Sequence, residues 1–141
     1  MIASLIENIK SSGKQYSCVV GIREGGINVS VPVARALCLP HHSVHISFYD
    51  RQNAVGGLVS SDGFIWQQNC LVVDDLIDGG KTIECFKSNF GEADVAVLFW
   101  HETCHVIPEY YVHVKPPSWV VFPWEIEECP NGNLKVSSVP N

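Results

Sequence analysis

Three aspartates, two glycines, a lysine and a threonine crowd one short stretch, Asp74-Asp75-Leu76-Ile77-Asp78-Gly79-Gly80-Lys81-Thr82. A glycine turn that opens a helix aims successive backbone N–H groups at one spot, and the Thr82 hydroxyl and Lys81 ammonium can join them around a phosphate. Carboxylates beside such a site would repel the anion unless they serve its hydroxyls or a divalent cation. The combination therefore points to a sugar phosphate carried with magnesium. Gly80-Lys81-Thr82 also invites a P-loop reading, but that motif needs a glycine five residues before Gly80, and Asp75 stands there.

Elements that could position this chemistry surround it. Cys70-Leu71-Val72-Val73 reads as the end of a buried parallel strand, and the helix beyond the glycines runs over Ile83 to Asn89. A second unit of the same kind precedes it. Tyr16 to Ile22 is a strand, Arg23-Glu24-Gly25-Gly26 a turn, and Ile27 to Leu39 a helix with Val29, Val33, Ala36 and Leu37 at helical spacing and Pro32 near its first turn. Its glycine pair is another place for phosphate oxygens. Leu5, Ile6 and Ile9 predict a short amphipathic helix that stops at Gly13, and Val44 to Tyr49, Ala93 to Trp100 and Tyr110 to Val114 predict further strands. Arg51 to Gln68, rich in Gly, Ser, Asn and Gln, reads as one long functional loop. Alternating strands and helices predict an α/β fold, a mostly parallel sheet covered on both faces, with ligands at the carboxyl ends of the strands.

Composition narrows the classes. With 141 residues, 46% hydrophobic and 17% charged, the chain is expected to form one soluble domain, and no apolar run approaches the ~20 residues of a membrane span. No signal peptide is evident at Met1-Ile2-Ala3-Ser4-Leu5, so a cytoplasmic location is expected. A net charge of −6 with three arginines argues against a nucleic-acid surface. The six cysteines form no Cys-x-x-Cys pair and are expected to be reduced and mostly buried. His41, His42 and His45 straddle a loop and a strand without an acidic or Cys partner at ligand spacing, and read as surface histidines. His101-Glu102-Thr103-Cys104-His105 matches His-Glu-x-x-His formally, but that zinc pattern works on a helix, and here it follows a strand and meets Pro108.

Val72 to Thr82, two apolar residues, an acidic pair, two apolar residues and a small turn, resembles the phosphoribosyl-diphosphate (PRPP) motif of type I phosphoribosyltransferases. Lys115 to Glu125, with Trp119-Val120 and Pro123-Trp124-Glu125, is similar to the base-binding segment of xanthine-guanine and archaeal hypoxanthine phosphoribosyltransferases. The resemblance, from about Tyr16 to Glu128, implies a single domain over residues 1–141. A flexible loop would span about 50–68, a hood about 115–128, and a polar tail 129–141. It implies replacement of pyrophosphate at C1 of PRPP by a ring nitrogen of a 6-oxopurine, hypoxanthine, guanine or xanthine, with magnesium, in a homodimer.

Residue by residue, the resemblance implies ribose and magnesium contacts from Asp74 and Asp75, and 5-phosphate contacts from Asp78, Gly79, Gly80, Lys81 and Thr82. Asp78 would also accept the proton of the base, and Glu125 would help to hold a second magnesium ion. Arg23, Glu24 and Gly25 would form the pyrophosphate loop, and Ser47, Tyr49 and Arg51 the lid-like loop. Trp119 would stack on the base and Val120 read its edge; stacking on an aromatic ring is worth about 1–3 kcal/mol per base and tolerates different bases. His101 stands where family members for 6-oxopurines carry a lysine. Protonated it could donate to an oxo group; neutral it could also accept from an amino group. Two further departures are Glu24, where the family has a basic residue before the glycine pair, and Gly79 in place of a threonine. They keep a second reading open, a PRPP- or nucleotide-binding regulator on the same fold without catalysis.

Overall fold

The computed structural model describes residues 1–48, 57–115 and 122–124. Three helices, α1 (Ile2–Ser11), α2 (Ile27–Leu37) and α3 (Lys81–Asn89), pack on a sheet of seven strands. The strands are β1 (Cys18–Arg23), β2 (His41–Phe48), β3 (Gly57–Ser61), β4 (Cys70–Val73), β5 (Leu76–Ile77), β6 (Asp94–Trp100) and β7 (Tyr110–Val114). Across the sheet the order is β3, β2, β1, β4, β6, with β5 continuing the β4 side of β6 and β7 pairing with β6 as well. Every pairing is parallel except β2 with β3.

Strand alternation divides the core between two faces. Val19, Leu71, Val73, Ala96 and Leu98 point to one side, where Leu5 and Ile9 of α1 and Val29 and Val33 of α2 cover them. Cys18, Val20, Ile22, Val72, Val95 and Val97 point to the other, under Ile83 and Phe86 of α3 and Phe64. Burying each such side chain contributes about 1.5–3 kcal/mol. With both faces covered, the strands can be apolar throughout, and only their ends are left for polar chemistry.

Several expectations need correction. The segment Arg51 to Gln68 is not loop throughout, because β3 hydrogen-bonds to β2 from Ser61 opposite Val44 to Gly57 opposite Phe48. It is also anchored by Phe64, 5% exposed, which stacks on Phe86 and meets Phe90 edge-on. Strand β2 begins at His41 rather than Val44, so all three histidines lie on it. The His41 ring lies 2.8 Å from the Ser30 hydroxyl, and His42 packs on Phe64. Helix α2 ends at Leu37, capped by Cys38 in the left-handed conformation, and Pro32 stands in its second turn rather than its first. None of the described cysteines is in a disulfide; Cys18 and Cys70 are buried register partners on β1 and β4, and burial together with Cys70 pushes the Cys18 thiol up to about 11. Cys38 is exposed, and Cys85 and Cys104 are half-buried. No helix among the described residues is long and apolar enough to cross a membrane.

Candidate functional site

The site lies where β1, β4, β5, β6 and β7 end. After Val73 the chain leaves the sheet at Asp74, whose backbone N–H still donates to Ala96 O at 3.1 Å. Asp74 is only 8% exposed. Its Oδ1 accepts the backbone N–H of Asp75 at 2.8 Å, and among the described residues neither aspartate forms an ion pair. Burial, with the Asp75 charge beside it, pushes the Asp74 carboxyl well above the usual carboxylate range. A carboxylate held this way gains from any cation or hydroxyl that reaches it.

The next two turns of chain build the anion end. Leu76 and Ile77 rejoin the sheet beside Phe99 and Trp100, which fixes Asp78 at the sheet edge. Gly80 then caps α3 with φ +83° and no side-chain cap, so the first N–H groups of the helix remain open to a ligand. A Cβ on Gly80 would meet Val106 Cγ2 at 2.6 Å and Cys104 Sγ at 2.9 Å, because the segment after β6 packs directly behind the turn. Gly79 differs: a Cβ there meets nothing within 4 Å. Asp74, Asp75, Asp78, Gly80, Lys81 and Thr82 line one cleft of about 380 Å³, with Phe122 contributing to its wall. The seven residues assigned to ribose and phosphate from the sequence are thus brought together, since Gly79 lines it too.

The second glycine turn meets the first. A Cβ on Gly25 would collide with the Asp75 carboxylate, and one on Gly26 would lie 2.9 Å from Val73 O. Both glycines are therefore required by the contact between the turns, whatever ligand they serve. The Arg23–Glu24 peptide is cis, and both side chains are exposed and unpaired among the described residues. Ser47 is exposed near the end of β2. Tyr49, Arg51, Trp119, Val120 and Glu125 lie outside the described residues. Trp124, described, stacks on Phe122 at 4.8 Å and packs against the core.

His101 follows β6, its N–H donating to Ile77 O at 2.9 Å. Its Nδ1 accepts the Thr103 backbone N–H at 3.3 Å and lies 2.7 Å from the Thr103 hydroxyl. A backbone N–H only donates, so the neutral ring carries its proton on Nε2, where it is a donor. The residues from His101 to His105 form turns rather than a helix, His105 pairs with Glu84, and among the described residues no group of three or more His, Cys, Asp or Glu could hold a metal. The helix that the zinc pattern needs is not formed there.

One charged neighbour was not foreseen. Lys115 Nζ lies 3.5 Å from Asp78 Oδ1. The sequence places it first in the segment that resembles a base-binding hood; the register of β7 against β6 brings it to Asp78.

No protein-family model matches the chain. It is 30% identical over 120 residues to a xanthine-guanine phosphoribosyltransferase of Chromohalobacter salexigens, covering 80% of this chain and 71% of that protein. Among solved structures, the purine phosphoribosyltransferase of Pyrococcus horikoshii superposes with a TM-score of 0.73 at 26% identity, covering 88% of this chain and 85% of that one. The xanthine-guanine-hypoxanthine phosphoribosyltransferase of Helicobacter pylori shares the fold, with a TM-score of 0.74 at 18% identity over 90% of this chain and 88% of that one. An acidic pair, Asp74 buried and Asp75 half-buried, beside an open helix N-terminus, on this fold and at this similarity, identifies the chain as a member of the purine phosphoribosyltransferases, a family of glycosyl-transferring enzymes.

Proposed function

We propose that the chain transfers the 5-phosphoribosyl group of PRPP to a 6-oxopurine, hypoxanthine, guanine or xanthine, releasing pyrophosphate. The observation that carries this reading is the juxtaposition, within one cleft, of the unpaired Asp74–Asp75 carboxylates and the uncapped N-terminus of α3. The helix end suits the 5-phosphate, held by N–H groups from Gly79 to Thr82 and by the Lys81 ammonium. The carboxylates, in the same cleft, suit the ribose hydroxyls. Gly25 lies directly against the Asp75 carboxylate, and Arg23, Glu24 and Gly25 would serve the leaving pyrophosphate. Ser47, Tyr49 and Arg51 would belong to a closing loop, and Trp119 and Val120 to the base pocket.

Magnesium fits this donor set. Hard oxygens from two adjacent aspartates, with too few protein ligands for a closed site among the described residues, match an ion that keeps water and substrate oxygens in its shell. Asp74 and Asp75 would hold it, with Glu125 near a second ion. When bound it neutralises charge on the leaving pyrophosphate.

The reaction asks the chain to stabilise positive charge at C1. The purine N9–C1 bond forms as the C1–oxygen bond to pyrophosphate breaks, and the proton on N7 of the base passes to the Asp78 carboxylate. Asp74 and Asp75, held in place before substrate arrives, would favour the oxocarbenium-like transition state as carboxylates. Nothing but Asp78 among the described cleft residues is both acidic and exposed enough to meet a base, its side chain being 62% accessible. A single cytoplasmic domain, working as a homodimer without nucleic acid or membrane, completes the reading.

Purified protein, PRPP and magnesium, with hypoxanthine, guanine, xanthine and adenine offered singly, provide the test. Nucleotide and pyrophosphate formed in equal amounts with one or more 6-oxopurines support the enzyme. Tight PRPP or nucleotide binding with no product from any base would replace it with the regulator.

A further inference from the structure

Helix α3 receives the phosphate at its first turn and carries an acid there, Glu84, three residues after Lys81. Residues three apart on a helix are surface neighbours, so Glu84 is placed to draw the Lys81 ammonium to itself. Lys87, at the same spacing on the other side, is taken by Glu92 at 3.4 Å. An unpaired Glu84 would compete with the ligand twice: it would claim the cation, and it would set a second negative charge at the helix end that an anion needs. Instead the carboxylate pairs with His105, and Lys81 forms no ion pair among the described residues.

A short turn delivers that histidine. The His101 N–H donates to Ile77 O at 2.9 Å, the Cys104 N–H to His101 O at 2.9 Å, and Trp100 Nε1 to Val106 O at 3.0 Å, which folds the segment back on the end of β6. Cys104 and Val106 are the residues that a Cβ on Gly80 would strike, so the turn is seated against the cap of α3, and His105 stands between them in the chain. The pair itself is open to water, with the His105 side chain 71% and the Glu84 side chain 49% exposed. Exposed pairs add little to folding, so the consequence to look for is electrostatic and local. We propose that His105 is a positioning residue of the phosphate site, acting through Glu84: it holds that carboxylate off Lys81 and offsets its charge, leaving the ammonium and the first N–H groups of α3 to the 5-phosphate. The proposal rests on the assignment of Lys81 and α3 to the phosphate made above. It gives the last histidine of His101-Glu102-Thr103-Cys104-His105 a use that needs no metal.

Steady-state kinetics of the intact protein test this, with PRPP varied at saturating base and base varied at saturating PRPP, for wild type, His105→Ala, His105→Lys, Glu84→Gln and the double variant of His105→Ala with Glu84→Gln. His105→Ala is expected to raise KM for PRPP by about two- to fivefold, with kcat and KM for the base unchanged. Adding Glu84→Gln should return KM to the wild-type value, because no charge is left to hold, and His105→Lys should keep it there. An unchanged KM for PRPP in His105→Ala would overturn the proposal. So would a rise that Glu84→Gln does not cancel, whatever the melting temperature does, since His105 would then act on the turn itself. Calorimetric titration with GMP separates this role from the transfer reaction. If no base is turned over, yet affinity for GMP falls in His105→Ala and returns in the double variant, the role of His105 stands and the reaction does not. If wild type binds neither GMP nor PRPP, the phosphate assignment fails and the role of His105 with it.

Discussion

The two ends of the sheet treat charge in opposite ways. At the amino end, the Tyr16 hydroxyl and Lys14 Nζ both donate to Asp94 Oδ2, at 2.6 and 3.0 Å. The Tyr110 hydroxyl lies 2.7 Å from Tyr16 and 2.9 Å from Ser12, whose hydroxyl donates to Ile9 O at 2.6 Å. Burial alone would push the Asp94 carboxyl up, but hydrogen bonds from Tyr16 and Lys14 outweigh it and hold the group below its ordinary range. At the carboxyl end Asp74 is more deeply buried, has another carboxylate for a neighbour, and has no cation among the described residues. A hollow of about 370 Å³ at the amino end, lined by Lys14, Tyr16 and Asp94, matches the cleft in size, yet its polar groups already satisfy one another. Size does not distinguish the ends. What distinguishes them is that Asp94 has its cation and hydroxyl within the fold, whereas Asp74 and Asp75 form no ion pair among the described residues, and the end with the unpaired acids is the one suited to a ligand.

Breaking the carboxyl end should remove function and spare the fold. Asp78→Asn, at an exposed side chain, is expected to lower kcat by about 10²–10⁴ with a base that needs proton transfer, while thermal unfolding hardly moves; rapid-quench turnover and a melting curve check both. Gly25→Ala forces a methyl against the Asp75 carboxylate, and the turns must part. KM for PRPP should rise by roughly tenfold or more, read from initial rates at varied PRPP.

Breaking the amino end should do the reverse. Asp94→Asn is expected to destabilise the protein by about 1–3 kcal/mol at neutral pH, with the activity per folded molecule unchanged. The sign follows from the direction of its shift. A carboxyl held low in the folded state contributes stability above its unfolded value near 3.8, and loses it as the pH falls through the folded value. Urea unfolding should therefore separate wild type from the variant at pH 7 and bring them together in acid.

How far the sequence could be read follows the same division. The glycine pairs, the acidic pair and the alternation of apolar strands were legible because each obeys a local rule: a turn, a helix start or a buried strand needs those residue types in that order. What was lost depends on pairing. Gly57-Leu58-Val59-Ser60-Ser61 looks like loop until β2 offers it a hydrogen-bonding edge. The meeting of Lys115 with Asp78 is hidden until β7 is set in register with β6. His41 and His42 look like linker residues until they pair with Val19 and Val20. The glycines carried a second message that a ligand motif alone does not state, since Gly25, Gly26 and Gly80 are each demanded by a packed neighbour and Gly79 by none.

Gly79 consequently offers the gentlest probe. Gly79→Thr has open space for its side chain and no left-handed backbone to strain, so stability should stay within about 0.5 kcal/mol. An added hydroxyl at the phosphate turn should lower KM for PRPP a few-fold, and an unchanged KM would mean that the phosphate does not sit there.

Whether Asp74 is held in a costly state for the sake of a ligand is read from thermal unfolding of wild type and Asp74→Asn at pH 7, without magnesium or PRPP. A carboxyl raised in the folded state contributes stability below its unfolded value near 3.8 and loses it as the pH rises towards and through the folded value, so well above 3.8 the ionisation of this group opposes folding. Asparagine keeps the acceptor for the Asp75 N–H and drops the charge. The variant should melt above wild type and fail to turn over PRPP. A variant that melts below wild type would mean that the Asp74 carboxylate already serves the fold, and that the contrast between the two ends of the sheet is wrong.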